Sequence, residues 1–546
     1  MIDLLIIGAG GAGLTAALTA KAEGASVLVI GKYYPTNSQT SMAQGGINAA
    51  LGNSGEDSIE THIADTLKSS RDLCDEVMVR TMCEKAPEAI SWLESIGVPF
   101  SRNQESKVAQ RQLGGASHKR ACYSQDYTGL KILHTLYDTC LKEGIEFLNE
   151  HFFLNLITGD RENTKLASLV NGATLLNINT GEIVQVNAKS VIIATGGYAS
   201  IYHGYTTNAF GSTGDGISAV IRAGGYLSDI EFVQFHPTAL KHSAILISES
   251  ARGEGGHLLN SRGERFVDEL LPRDIVARAI YDQITAGEEV FLDIRHLGEE
   301  KLMELLPQEV HLCKLHEGVD PLTELIPIKP VAHYTMGGID VDRSLEVRGI
   351  RGCFAVGECS NAKIHGANRL GGNSLLEIIA MGKIAGENAL RFAQAANDKL
   401  VNNIQVKKDR SFIDKVFHNS NQINFYEKRD LIGQLFYHNA GIVRNESGLK
   451  SALAQIQQIQ KELPSMGIGD KNRDNNMNLI DFIEFSNALE LSEILLISAL
   501  KREESRGAHY REDFPKQSDE NFATHTLAWR EDDRLHTNFE DNVCEY

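Results

Sequence analysis

The eight cysteines of this 546-residue chain are scattered (74, 83, 122, 140, 313, 353, 359 and 544), and no two form a CxxC pair. That spacing suits neither an iron–sulfur cluster nor a zinc site, and a chain this long does not rely on a disulfide framework. Free thiols fit a reducing cytosol. No apolar run reaches the ~18 residues that span a bilayer, so any membrane attachment is expected through a partner. Positive charge is in deficit, with 53 Lys and Arg against 72 Asp and Glu and a net charge of −19, which argues against a nucleic-acid or anionic-membrane binder. The first strand is expected by about Leu4, which leaves no room for a signal peptide. The chain has neither an internal repeat nor a long low-complexity segment.

With 42% apolar residues it can bury a large core, and its length suggests about two to four domains. Residues 3–30 read as strand, tight turn, helix and strand: a short buried run at 4–7, helix formers over 12–22 and a second apolar run at 26–30. Gly8, Gly10 and Gly13 fall on the dinucleotide fingerprint in the context it requires. The first permits the turn, the second lets backbone approach a pyrophosphate, and the third lets helix and strand pack closely. The acid expected at the end of the second strand for the adenosine ribose is missing, and Gly31 and Lys32 stand there. Lys32 and Ser38 are the candidates for that contact, and the fingerprint alone does not choose between FAD and NAD.

Two further strands return late. The run at 190–197, SVIIATGG, ends in small residues that include Ala194, Thr195 and Gly196, and the run at 352–358, GCFAVGE, ends in Glu358. Such a return suggests a nucleotide domain interrupted by an insertion, as in two-dinucleotide flavoproteins. Glu358 is either placed to hold a ribitol hydroxyl or a strand-end carboxylate facing water. Between these strands lie FVQFHPTAL, SESARGEGGHLLN, PRDIVARAI and AHYTMGGI, where His236, Ser248, Glu249, Arg252, Arg273 and His333 sit beside glycines and apolar residues. Histidines and arginines together suit a dianionic substrate, because each guanidinium can clamp a carboxylate and histidine and serine donate further hydrogen bonds. Taken singly, each histidine is as readily structural and each arginine a surface charge. At 365–374, HGANRLGGNS sets Arg369 among small residues just before a helical run. The unpaired N–H groups and partial positive charge of a helix start, with a guanidinium added, make a site for carboxylate or phosphate.

The ordered motifs GAGGAG (8–13), YPTNSQTSMAQGG (34–46), STGDG (212–216), HPTAL (236–240), RGEGG (252–256), RDIVAR (273–278), HYTMGG (333–338), HGANRLGGNS (365–374) and ESRGAHYREDFP (504–515) resemble, nearly end to end, the flavoprotein subunit of the succinate dehydrogenase and fumarate reductase family. The resemblance implies an α/β fold, with a Rossmann-like FAD-binding domain (1–230 and 345–395) and an inserted α+β capping domain (231–344) that carries substrate residues. It implies that His236, Ser248, His333 and Arg369 bind the carboxylates of a C4-dicarboxylate, with Leu113 and Gly371 beside them. Arg273 then stands at the proton-donor position, and Glu249 and Arg252 complete a relay to solvent. Gly8, Gly10, Gly13, Lys32, Ser38, Gln39, Gly45, Gly46, Ala194, Thr195, Gly196, Asp215, Glu358, Ser374 and Leu375 are implied to surround the FAD. The implied partners are an iron–sulfur subunit and a membrane or membrane-associated quinone-reactive subunit. The implied location is cytoplasmic, peripheral at the inner face of the cytoplasmic membrane.

The sequence departs from that family at Gln39, where the usual residue is a histidine joined covalently to the flavin 8α carbon. A glutamine amide cannot make that bond, so non-covalent FAD is expected. The missing histidine and LPRDIVARAI also resemble L-aspartate oxidase, a soluble, iminoaspartate-forming relative. That family typically has Ala-Ser where Gly371 and Gly372 stand, and a glutamate for the substrate ammonium where QRQLGG has Leu113. A buried leucine offers an ammonium no partner, so these positions favour a C4-dicarboxylate without an amine. A third alternative, a flavin-loaded electron carrier without substrate chemistry, is opposed by retention of all the polar groups. Towards the end, 396–425 reads as a linker, 426–515 as a helical bundle and 516–546 as a tail of solvated acids. Arg506 and His509 match a family signature, and are as readily structural groups bonded to the flavin domain.

Overall fold

The computed structural model describes residues 1–159, 168–396, 403–532 and 534–542. Strand Ile2–Ile7 lies parallel to Val27–Ile30 on one side and to Ile183–Ile193 on the other. Glu146–Leu148 and Cys353–Ala355 extend the parallel arrangement outward. Leu4, Leu5, Ile6 and Ile7 are all buried, as a strand covered on both faces requires. Helix Gly11–Ala22 packs along Asn373–Ala395, the helix that follows the Arg369 loop. The two late strands thus return to the first sheet and bring the Arg369 loop to the ends of its strands.

The intervening segment builds its own four-stranded antiparallel sheet, in the order Val233–Leu240, Ile326–Thr335, Val290–Asp293 and His257–Asn260. It has a separate core that includes Leu240, Ile247, Leu258, Val276, Leu292 and Ile326. Helices Phe425–Asn439, Glu446–Glu462 and Met477–Lys501 form the carboxyl-terminal bundle. The architecture is therefore a Rossmann-like unit with an inserted α+β segment and a helical carboxyl-terminal part.

Two expectations about organisation need correction. The polar stretch 396–425 contains helix Ile404–His418, whose Asp409 accepts hydrogen bonds from Asn155 (2.7 Å) and Thr174 and so docks on the first sheet. The acidic end is not a solvated tail: Thr526–Glu531 and Arg534–Phe539 form a hairpin that pairs with Leu227–Ser228. Glu540 then accepts from Arg348 (3.0 Å) and Lys363 (3.2 Å). Residues 397–402, 533 and 543–546, with Cys544, lie outside the described residues. The seven other cysteines are unpaired as disulfides. Arg506 is buried against Glu504 (2.7 Å), and His509 against Arg444 (2.8 Å) and the Arg502 carbonyl (3.0 Å). Arg506 also donates to the Arg71 carbonyl (2.7 Å) of the first unit, as its structural reading expects, whereas the His509 side chain bonds within the carboxyl-terminal part. Among the described residues no helix is long and apolar enough to cross a membrane.

Candidate active site

The parallel strands end at a cavity of ≈ 300 Å³ that reaches from the turn after Ile7 into the inserted segment. Gly8 holds φ at 115°, and a Cβ there would lie 2.1 Å from the Ala194 carbonyl oxygen, so only glycine fits. At Gly10 a Cβ would meet no protein atom nearer than 3.5 Å. The space beside this backbone is open, as it must be where a ligand approaches closely. The Gly11 N–H donates to Thr40 Oγ1 (3.1 Å), and no side chain caps helix Gly11–Ala22, which leaves the following N–H groups to an anion. Every residue chosen from the sequence for the cofactor lines this cavity except Gly13. Gly13 instead lets helix meet strand, since a Cβ there would sit 2.0 Å from the Gly8 carbonyl oxygen.

Two cavity-lining hydroxyls, Ser38 Oγ and Thr195 Oγ1, are buried without a hydrogen-bond partner among the described residues. Together with the glycine turn they fit a bound dinucleotide. Lys32 Nζ lies 2.7 Å from Asp215 and 2.5 Å from Glu484. The two carboxylates hold it protonated in spite of its burial. Its charge is therefore engaged by protein, and the carboxyl-terminal bundle contributes to this end of the cavity through Glu484. Glu358 Oε1 accepts the Thr335 N–H (3.0 Å), and burial outweighs that bond and pushes its carboxyl up to about 7. Gln39 Oε1 accepts the Ala209 N–H (3.0 Å).

The other end of the cavity is built by the inserted sheet and the Arg369 loop. His236 and His333 stand on paired strands with ring centroids 4.8 Å apart. His236 Nδ1 is engaged by the Thr238 carbonyl (3.0 Å) and His333 Nδ1 by the Thr207 hydroxyl (2.7 Å). Burial holds both imidazoles well below their usual pKa, assisted by Arg273 and Arg252 at His236 and by His236 and Arg273 at His333. Arg369 lies over the Tyr334 ring (4.2 Å to its centroid), and its Nε is buried without a hydrogen-bond partner among the described residues. Burial, then repulsion from Arg273, brings this guanidinium down to about 10. Ser248 caps helix Glu249–Gly253, and its Oγ accepts from the Ser250 N–H (3.1 Å).

Glu249 anchors the arginines. Its Oε2 is 2.7 Å from Arg273 Nη2 and its Oε1 3.2 Å from Arg252 Nη2. Burial alone would raise its pKa, but Arg273 and Arg252 outweigh it and hold the carboxyl at about 2. A carboxyl whose folded value lies below 4.5 stabilises the fold above that pH and loses the contribution as pH falls towards 2. Urea unfolding between pH 5 and 2 should therefore show a shallower acid loss in Glu249→Gln than in the wild type. Equal slopes would contradict the assignment. Arg273, Arg252 and Arg369 are all buried around Glu249 at this end, an excess of positive charge that suits an anionic ligand.

Arg252 and Gly371 do not line the cavity. Arg252 is fully buried behind Glu249 and donates to the Glu269 carbonyl (2.6 Å), so a relay through it does not reach solvent at its own side chain. Gly371 backs the ion pair: a Cβ on it would lie 2.3 Å from Glu249 Oε2. Leu113 is buried in the cavity wall, in line with its apolar assignment. One residue was missed. Gln234 accepts from Arg273 Nη1 (3.1 Å) and donates to the Arg369 carbonyl (2.8 Å), tying the two arginine loops together. Its position two residues before His236 on one strand was the available signal, since alternate residues share a face.

Residues 3–375 match the FAD binding domain family, and residues 429–545 match the fumarate reductase flavoprotein C-terminal family. The chain is 40% identical over 563 residues to the 8-methylmenaquinol:fumarate reductase flavoprotein subunit of Wolinella succinogenes, covering 99% of this chain and 90% of that one. It is 38% identical over 558 residues to the succinate dehydrogenase flavoprotein subunit of Rickettsia conorii, covering 96% and 92%. A solved quinol–fumarate reductase with menaquinol molecules superposes with a TM-score of 0.93 at 37% identity, covering 98% of this chain and 97% of that chain.

Proposed function

The chain belongs to the succinate dehydrogenase and fumarate reductase flavoprotein family of FAD-dependent oxidoreductases, and from that premise we propose that it interconverts fumarate and succinate with Arg273 as the proton donor and acceptor. The observation that carries this reading is the buried cluster of Arg369, Arg273, His236 and His333, rich in positive charge and hydrogen-bond donors, at the far end of the dinucleotide cavity. When bound, FAD supplies hydride exchange at N5. Arg369 clamps one substrate carboxylate, and the ring nitrogens of His236 and His333 with the Ser248 hydroxyl take the other. Arg273 delivers a proton to one alkene carbon, and succinate oxidation returns it. Glu249, held ionised between two guanidiniums, keeps Arg273 in place and passes it the proton that restores the guanidinium after each reduction. Arg252 neutralises Glu249 from behind.

The neutral histidines add a prediction. A dianion beside them raises their pKa, so binding takes up protons over the interval between the free and bound values. The dissociation constant for fumarate should fall as pH falls towards that interval, with proton uptake measurable by calorimetry in buffers of different ionisation enthalpy. Fumarate binding without proton uptake at any pH below the usual imidazole value of 6.5 would contradict it.

We place the FAD as non-covalent, because Gln39 offers an amide where a covalent bond needs a nucleophilic imidazole. Acid precipitation should release the flavin into the supernatant, and yellow colour retained in the pellet would refute the assignment. Because the scattered cysteines offer no cluster ligands, electrons are proposed to pass to an iron–sulfur subunit and on to a quinone-reactive membrane or membrane-associated subunit. That places the protein at the inner face of the cytoplasmic membrane through its partners. The domain division proposed is 1–230 with 345–395 for FAD and 231–344 for the cap. L-Aspartate oxidase is the second reading, and Leu113 and Gly371 weigh against it. Anaerobic addition of succinate should bleach the bound flavin while L-aspartate leaves it oxidised; bleaching by aspartate alone would reverse the assignment.

A further inference from the structure

Behind Ser248 lies a buried group of ionisable side chains that the mechanism does not use. The Ser248 backbone N–H donates to Glu309 Oε1 (2.8 Å), and the Glu309 backbone N–H donates in turn to Asp126 Oδ2 (3.0 Å). Glu309 belongs to helix Pro307–His316 of the inserted segment, whereas Asp126 lies between strand Ala121–Cys122 and helix Thr128–Lys142 of the flavin-binding unit. Asp126, Glu309 and Ser248 are each at most 1% exposed. One oxygen of each carboxyl, Asp126 Oδ1 and Glu309 Oε2, has no partner among the described residues, nor do Nε and Nη1 of neighbouring Arg111.

A buried carboxyl with half its capacity unused is costly for a fold to retain. Apolar packing would serve the core of the inserted segment better, and Val310 and Cys313 beside it do pack there. What the carboxyl contributes is a direct bond to the backbone of a cavity-lining residue. Ser248 caps a helix of only five residues, Glu249–Gly253, so its own N–H is not held by that helix and its orientation depends on an outside acceptor.

We propose that Glu309 is a positioning residue: it fixes Ser248, and so the hydroxyl offered to the substrate carboxylate, while Asp126 anchors Glu309 to the flavin-binding unit. The two bonds run in series from one unit to the substrate group on the other. Alignment of the Ser248 hydroxyl is thereby coupled to the docking of the inserted segment over the flavin site. Docking contributes to substrate affinity even though neither carboxyl touches the substrate.

The inference rests on the reading of Ser248 as a substrate group, and the test separates the two. In the FAD-loaded full chain, with reduced viologen as donor, Glu309→Leu is expected to raise KM for fumarate about tenfold. The change in kcat should be much smaller, and the flavin content unchanged. Glu309→Gln keeps a carbonyl for the Ser248 N–H and should restore KM to near the wild-type value, which a merely space-filling role would not require. Ser248→Ala should raise KM by itself, and adding Glu309→Leu to it should raise KM little further. Asp126→Ala, which alters the anchor without touching the interior of the inserted segment, should also raise KM and serves if Glu309→Leu does not fold. If Ser248→Ala raises KM while Glu309→Leu and Asp126→Ala leave it unchanged, the proposal is overturned and the reading of Ser248 stands. If Ser248→Ala leaves KM unchanged, that reading fails and takes the proposal with it.

Discussion

Arg273→Gln is expected to lower fumarate turnover by at least about a thousandfold, the scale of a lost general acid held in place. Both kcat and kcat/KM should fall, because the proton is needed in the transition state and not for binding. Flavin content should stay at the wild-type level. Arg273 bonds Glu249 (2.7 Å) and Gln234 (3.1 Å) and none of the residues of the glycine turn. Arg273→Lys is a sharper control, since it keeps a positive charge beside Glu249 but not the planar fork that meets Glu249 and Gln234 together. Its turnover should lie well below that of the wild type. Viologen-coupled turnover together with flavin absorbance per chain checks both variants, and near-normal turnover in Arg273→Gln would remove Arg273 from the proton transfer.

The second large effect is expected at a residue that does not line the cavity. Gly371→Ala places a methyl group 2.3 Å from Glu249 Oε2 and 3.4 Å from Arg273 Nη2. Glu249 cannot give way cheaply, because Arg252 holds its other oxygen at 3.2 Å. The Glu249–Arg273 pair must then open. Overpacking of this kind is destabilising by about 1–3 kcal/mol, and loss of the ordered guanidinium should reduce turnover by about a hundredfold. The neighbouring Gly372 adopts φ 85°, and a Cβ there would lie 2.3 Å from Asn48 Oδ1. The Ala-Ser pair of aspartate oxidases therefore cannot enter this loop without rearrangement of Glu249 and Asn48. Thermal unfolding and steady-state kinetics of Gly371→Ala measure the two effects; wild-type turnover would show that the glycine has no part in specificity.

The amino-terminal unit was legible because each of its signals is local. The glycine spacing, the short apolar run and the helix formers all lie within 3–30, and the structure needs Gly8 for its positive φ. Arg369, His236, His333 and Arg273 could be singled out only by residue type, and they meet through pairing of Val233–Leu240 with Ile326–Thr335 and the return of the late strands to the first sheet. Gln234 is marked in the sequence only by its alternation with His236, and the role of an uncharged amide in an apolar strand shows only once both its arginine partners are in place. The carboxyl-terminal hairpin was misread for a related reason. Its sheet is completed by Leu227–Ser228, about 300 residues earlier, and no local pattern reports such a partner. Likewise helix Ile404–His418 is mostly polar, and what docks it is Asp409 meeting Asn155 and Thr174 across the fold. Glu309 is the strongest case, since nothing in LPQEV distinguishes a buried positioning carboxyl from a surface one.

The central claim is that this cavity holds FAD and a C4-dicarboxylate without an amine, so that Arg273 and the flavin act on opposite carbons of fumarate. Its most direct measurement is anaerobic turnover of the purified, FAD-loaded chain with reduced viologen. Fumarate-dependent oxidation of the viologen, with succinate as product and with the activity abolished in Arg273→Gln, is the predicted result. No turnover of fumarate by the flavin-loaded chain, together with peroxide formation from L-aspartate in air, would contradict it.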